Sequence, residues 1–173
     1  WTRAAAEQGD PKAQSNLGLM YRDGLGVPQD PAQAVLWLAK ASEQGDAKAQ
    51  NNLGSMYYSG QGAAKDLDAA LRWYGRAAEQ GHAVAQLNLA VMYAQGIGVE
   101  RDFAQAAEWY LKAAEQGEPR AQFDLAVLYA SGWGVEQDDE QAVAWRERAA
   151  EQGYPEAGYP APIDAGNGTS SID

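Results

Sequence analysis

One period governs this chain. The word Glu-Gln-Gly ends at Gly9, Gly45, Gly81, Gly117 and Gly153, so it returns every 36 residues. Trp1, Trp37, Trp73, Trp109 and Trp145 keep the same step, and so do Tyr21, Tyr57, Tyr93 and Tyr129. Gly-x-Gly pairs stand at Gly24/Gly26, Gly60/Gly62, Gly96/Gly98 and Gly132/Gly134. Four full units result, at 10–45, 46–81, 82–117 and 118–153. The end of an earlier unit precedes them at 1–9, and the start of a truncated one follows at 154–157. A unit this short cannot bury an apolar face alone. It must stack on its neighbours, which makes residues 1–157 one repeat domain.

The residues inside a unit say what stacks. In unit three, Ala85, Leu89, Met92 and Tyr93 recur at helical spacing. Gly96 ends that helix, because glycine accepts the left-handed geometry of a C-terminal cap. Asp102 caps the next helix, and Gln105 stands in the capping-box position three residues on. Asp30/Gln33 and Asp138/Gln141 repeat that pairing, while Asp66 is followed by Ala69 and leaves its box incomplete. The second helix carries Ala106, Trp109, Tyr110 and Ala113 on one side and stops at Gly117. Each unit therefore reads as two antiparallel helices of about 13 residues, and the fold class as an all-α solenoid. A dinucleotide loop would follow a strand and occur once; this Gly-x-Gly occurs four times, each after a helix. The tryptophans are expected to fill the space between the two helices and the next unit, so that Trp73→Ala would cost about 3–5 kcal/mol.

Charge narrows the partners. The chain has 24 acidic and 13 basic residues, a formal net charge of −11. Nucleic acid and anionic membrane surfaces need clustered Lys and Arg, so neither is expected. No apolar run approaches the length of a membrane span. With no cysteine there is neither a disulfide framework nor a thiolate metal site. His82, the only histidine, occupies a helix-start slot held elsewhere by Asp10, Asp46, Glu118 and Tyr154. No Ser-His-Asp set or elbow motif stands out, and the Asp138–Glu140 carboxylates complement a helix dipole. No catalytic residue, metal site or cofactor is expected. The chain begins at Trp1 rather than Met, which suggests a fragment or a processed form.

Unit one aligns Ala13, Leu17, Gly18, Tyr21, Gly24, Gly26, Val27, Asp30, Ala34, Trp37, Ala41 and Gly45 on positions that recur in the other three units. Ala63 replaces the loop valine, and Ala90 and Ala126 the helix glycine. This pattern resembles the Sel-one-like repeat family, a relative of the tetratricopeptide repeats. The resemblance implies a right-handed α/α superhelix and a role as a protein-interaction scaffold or adaptor. It favours a bacterial periplasmic or secreted setting, with a cytoplasmic one still open. A cysteine-rich branch of the family has been linked to β-lactam binding or hydrolysis, and the absence of cysteine separates this chain from it. A structural subunit stacking end to end through its terminal units is a further alternative.

In tetratricopeptide repeats the first helix of each pair lines a concave groove. The same arrangement here would place Lys12, Asn16, Lys48, Asn52 and Tyr58 in a polar half of the groove. Val84, Leu87, Asn88, Val91, Arg120, Phe123, Asp124 and Val127 would form a more apolar half. These positions differ from unit to unit while the core repeats, so the face is expected to take a protein or peptide segment. Asn16, Asn52, Asn88 and Asp124 form a ladder that either holds a peptide backbone or bonds a neighbouring unit. Trp133, where the other units have Leu25, Gln61 and Ile97, is a candidate loop hot spot or a packing residue. The stretch 158–173 reads as a flexible or appended tail that folds over the last unit or enters a neighbour's groove. Its Asn167-Gly168-Thr169 fits a glycosylation acceptor, for which chance is the better explanation in a short polar tail.

Overall fold

The computed structural model describes residues 2–155. The tail from Gly158 and the first tryptophan, Trp1, lie outside them. The described residues form helices only: α1 (Thr2–Glu7), α2 (Pro11–Asp23), α3 (Pro31–Glu43), α4 (Ala47–Ser59), α5 (Leu67–Glu79), α6 (Ala83–Gln95), α7 (Phe103–Glu115), α8 (Pro119–Ser131) and α9 (Asp139–Glu151). From α2 onward every helix has 13 residues. Helices α2/α3, α4/α5, α6/α7 and α8/α9 are the pairs, and each second helix packs on the first helix of the next pair.

The ends of the helices follow from single residues. Gly24, Gly60, Gly96 and Gly132 close the first helices with φ of 66–76°. Asp30, Asp66, Asp102 and Asp138 open the second helices by accepting from the amide three residues on. The capping box expected from Gln33, Gln105 and Gln141 does not close. The cap's own N–H donates instead to a main-chain carbonyl of the partner helix: Asp30 to Tyr21, Asp66 to Tyr57, Asp102 to Tyr93 and Asp138 to Tyr129, at 2.8–3.0 Å. That bond needs no glutamine, so Ala69 costs unit two nothing at this end. The second loop glycine has a different task. A Cβ on Gly62 would run into the Pro31 carbonyl, and one on Gly134 into the Phe103 backbone. The loops of units two, three and four are thus laid directly against the start of the preceding second helix.

The core is a row of clusters, one per junction. Ala34, Leu38, Ala41, Ala49, Leu53 and Met56 make one; Ala70, Tyr74, Ala77, Ala85, Leu89 and Met92 make the next. The tryptophans sit differently from the expectation. Trp37, Trp73 and Trp109 are half-buried, and Trp73 packs on the rim of the Leu38–Leu53 cluster. A cation covers each ring, Lys40 at 4.2 Å, Arg76 at 4.8 Å and Lys112 at 4.0 Å from the centroid, and Arg148 covers Trp145 at 4.4 Å. The residue after each tryptophan takes the central place, Leu38 at 0% and Tyr74 and Tyr110 at 4% exposure. Unit four reverses this: Trp145 is buried, and the following slot holds the half-buried Arg146.

A glutamine relay joins three helices in every unit. Gln14, Gln50, Gln86 and Gln122 are buried on the first helices. Each donates to a carbonyl in the last turn of the preceding second helix: Ala6, Ser42, Ala78 and Ala114. Each accepts in turn from the glutamine of the Glu-Gln-Gly word: Gln44, Gln80, Gln116 and Gln152, at 2.7–2.8 Å. Each of these helix-end carbonyls also accepts a main-chain amide from the turn that follows, as Ala78 does from Gly81 at 2.9 Å, so the relay adds a second bond that ties the next helix to it.

Candidate functional site

The helix pairing brings three successive first helices side by side, and a hollow of about 240 Å³ lies across them. Tyr58 of α4, Asn88, Val91, Met92 and Gln95 of α6, and Arg120 of α8 line it, with Tyr74 of α5. Four of the residues expected in a groove, Tyr58, Asn88, Val91 and Arg120, therefore meet in one place. The Tyr74 hydroxyl lies 3.0 Å from the Ser55 hydroxyl, and burial raises the Tyr74 phenol above its ordinary pKa. The Lys65 ammonium lies 5.8 Å over the Tyr58 ring. Arg120 Nε lies 3.6 Å from Asp124 Oδ2, within one helix. The hollow thus combines two phenol rings, amide groups and the Arg120 guanidinium around a small apolar spot at Val91 and Met92.

Other expected groove residues have other places. Leu87 is only 7% exposed and belongs to the core, packed with Ala107, Tyr110 and Leu125. Its equivalents Ser15 and Asn51 are buried too. Phe123 and Val127 line a second hollow of about 190 Å³ between α8 and α9, with Ala130, Ala142, Val143 and Arg146. In the earlier units the next first helix packs on this face; here Val143 is 56% exposed. The Phe123 ring tilts against Tyr154, with centroids 5.5 Å apart. The apolar character noticed in units three and four thus divides between core, end face and the central hollow. Lys12, Asn16, Lys48 and Val84 are exposed on their first helices.

The asparagine ladder is partly engaged within the protein. Asn52 donates to the Lys48 carbonyl at 2.8 Å and accepts from Arg22 at 2.9 Å. Asn88 donates to the Asn51 side chain at 3.1 Å. Two of these bonds link neighbouring units, the second of the two roles weighed for the ladder. Arg22 is also held by Asp23 at 2.7 and 2.8 Å, which raises the guanidinium pKa and lowers that of the carboxyl. Trp133 is 41% exposed and stacks on Phe103 of the previous unit, centroids 5.1 Å apart. It packs and shows one side to solvent at once.

His82 caps α6. Its Nδ1 accepts from the Ala85 amide at 3.2 Å, where Asp10 and Asp46 do the same at 2.6 Å. Burial lowers its pKa. Among the described residues no group of His, Asp and Glu has the arrangement of a metal site, and no helix is long and apolar enough to cross a membrane. The glutamine relay and the place of Tyr74 under the hollow were not anticipated. The relay's signal was the glutamine at position 14 recurring every 36 residues.

Four copies of the Sel1 repeat match the chain, at residues 11–46, 47–82, 83–118 and 119–154. The chain belongs to the Sel1 repeat family. Among solved structures it is similar to c5321, a protective antigen of uropathogenic Escherichia coli strains with an SLR fold. The identity is 43%, over 88% of this chain and 33% of that one, with a TM-score of 0.87. It is similar as well to a Sel1 repeat protein from Oxalobacter formigenes, at 42% identity over 87% of this chain and 60% of that one, TM-score 0.83. This Sel1 chain therefore spans a third of the first relative and three fifths of the second. Cysteine-rich protein B of Helicobacter pylori shares the fold alone, at 23% identity and a TM-score of 0.59. Comparison with curated proteins finds no significant match.

Proposed function

We propose that this chain is a non-catalytic interaction module that holds a peptide segment of another protein across its first helices. The observation that carries this reading is the hollow of Tyr58, Asn88, Val91 and Arg120. It spans three units, and residues that vary from unit to unit contribute to it, whereas the core and caps repeat. An extended or helical segment meets such a surface through one seated apolar side chain and polar contacts around it. The affinity expected of a hollow this small is micromolar, about −8 kcal/mol.

A display selection with a random peptide library tests it. Enriched peptides should bind the chain and lose binding to Val91→Asp and to Tyr58→Ala, with helical circular dichroism unchanged. Peptides that bind both variants normally would remove the hollow from consideration. The exposed apolar face of α8 and α9 favours a second reading, end-to-end stacking. Sedimentation that shifts with concentration and returns to the monomer value in Val143→Glu would support that alternative.

A further inference from the structure

We infer that the outer face of α8 and α9 pairs with the same face of a second copy about a two-fold axis, so that association closes at two. In unit three, Leu87, Ala90, Ala106 and Ala107 are buried against Ala121 and Leu125 of unit four. Their equivalents Phe123, Ala126, Ala142 and Val143 stay apolar around the hollow of about 190 Å³. Two neighbouring positions break the pattern. Arg146 takes the slot of Leu38, Tyr74 and Tyr110, the side chains inserted between units. Asp139 takes the slot of Pro31, Leu67 and Phe103. Both line the hollow, and no ion pair to either forms among the described residues.

Those two charges select the occupant. Trp133 covers Phe103, and its equivalents Leu25, Gln61 and Ile97 are not cationic either. Tyr110 packs among Ala121 and Leu125. An ordinary unit would thus bring Asp139 no cation and Arg146 mainly apolar contact, and a buried charge without a partner is costly. A second copy, turned over, brings both partners. Asp139 and Arg146 are seven residues apart on one side of α9, about 10 Å, with Ala142 and Val143 midway between them. When α9 packs antiparallel on the α9 of the other copy, with the axis beside Val143, each Asp139 meets the other copy's Arg146. The two valines then meet at the centre. Such an interface is self-complementary and closed. Glu140 and Glu147 do not line the hollow. The net charge of −11 on each copy opposes approach, and the face is only two helices wide. The pair is therefore weak and forms best in moderate salt, which screens the long-range repulsion.

Sedimentation of the whole chain over a range of concentrations tests this. Only monomer and pair should appear, and Tyr58→Ala or Val91→Asp should leave the pair intact, which keeps this inference separate from the peptide reading. Asp139→Arg alone and Arg146→Asp alone should each weaken pairing by about tenfold or more, with helical circular dichroism unchanged. Mixed in equal amounts, the two variants should form a mixed pair, since each supplies the sign that the other lacks. A mixture that associates no better than either variant would overturn the two-fold arrangement, as would the absence of any pair. Species that grow beyond two would assign the face to end-to-end stacking instead. The chain leaves the last unit at Tyr154, beside Phe123, so the residues that follow are the rival occupant. Pairing that appears only in a chain ending at Ala157 would give the face to them and sink the proposal.

Discussion

Trp73 and Tyr74 are adjacent, yet the fold uses them in opposite ways. Tyr74 is inserted between units, with its hydroxyl beside Ser55, while Trp73 lies on the cluster's rim under Arg76. A half-covered ring gives up less apolar burial on truncation, and the lost cation contact adds little in water. Trp73→Ala should therefore cost about 2 kcal/mol, below the value expected from the tryptophan period, and Tyr74→Ala about 3–5 kcal/mol. Urea unfolding of both variants checks the order, and a larger loss for Trp73→Ala would contradict the packing described. His82 gives a residue-scale prediction in pH. Burial holds its folded pKa below the ordinary value of about 6.5, so folding favours the neutral ring, whose Nδ1 can accept from Ala85. That contribution is complete above the unfolded pKa and is lost as pH falls through the depressed folded one. His82→Asp installs the cap of units one and two. It should stabilise by about 0.5–1 kcal/mol at neutral pH, and its advantage should widen towards about pH 5, well above the ordinary Asp pKa. The same advantage at both pH values would mean that the ring nitrogen does not serve as the cap.

At the scale of the helix, the ends are tied by different chemistries. At the loop end, each second helix hangs from a tyrosine carbonyl of its partner by the cap's own N–H. At the other end, the glutamine relay ties it to the next first helix. Gln86 is the middle of one relay, donating to Ala78 and accepting from Gln116. Gln86→Leu preserves the volume and removes both side-chain bonds, while the Ala78 carbonyl keeps the Gly81 amide at 2.9 Å. It should cost about 1 kcal/mol, the net worth of a lost buried bond, and Gln116→Ala, at the solvent end, clearly less. Thermal or urea unfolding distinguishes them, and equal losses would show that the Gln86 bond to the Ala78 carbonyl contributes nothing of its own. Helix ends were legible in the sequence because one residue sets each of them: Asp30 accepts an amide, Gly24 takes a positive φ. The relay was visible only as a period, since its meaning requires three helices to converge.

At the scale of the whole molecule, the limit of legibility is rotation. Leu87 reads as outward-facing because its type is not repeated, yet position and not type buries it, as Ser15 and Asn51 show. Which side of a helix faces the next unit depends on the angle between units, and one sequence does not contain that angle in readable form. Tyr58, Asn88, Val91 and Arg120 stood among thirteen expected groove positions with nothing in the sequence to single them out, because their meeting round one hollow depends on the same angle. The stacking also sets how the molecule should come apart. Each unit touches only its neighbours, so stability is a sum of unit and junction terms. The junction of units three and four is the cluster of Leu87, Tyr110, Ala121, Leu125 and Trp145, and α9 has no helix on its outer side among the described residues. Opening should begin there. Tyr110→Ala removes the ring at the centre of that junction, a loss of about 3–5 kcal/mol. In native-state hydrogen exchange the amides of α8 and α9 should lose on the order of a hundredfold or more in protection, while those of α2 and α3 change little, since local opening reports the junction it breaks. An equal loss in α2 and α3 would mean that the four units open as one cooperative body and that the nearest-neighbour description is wrong.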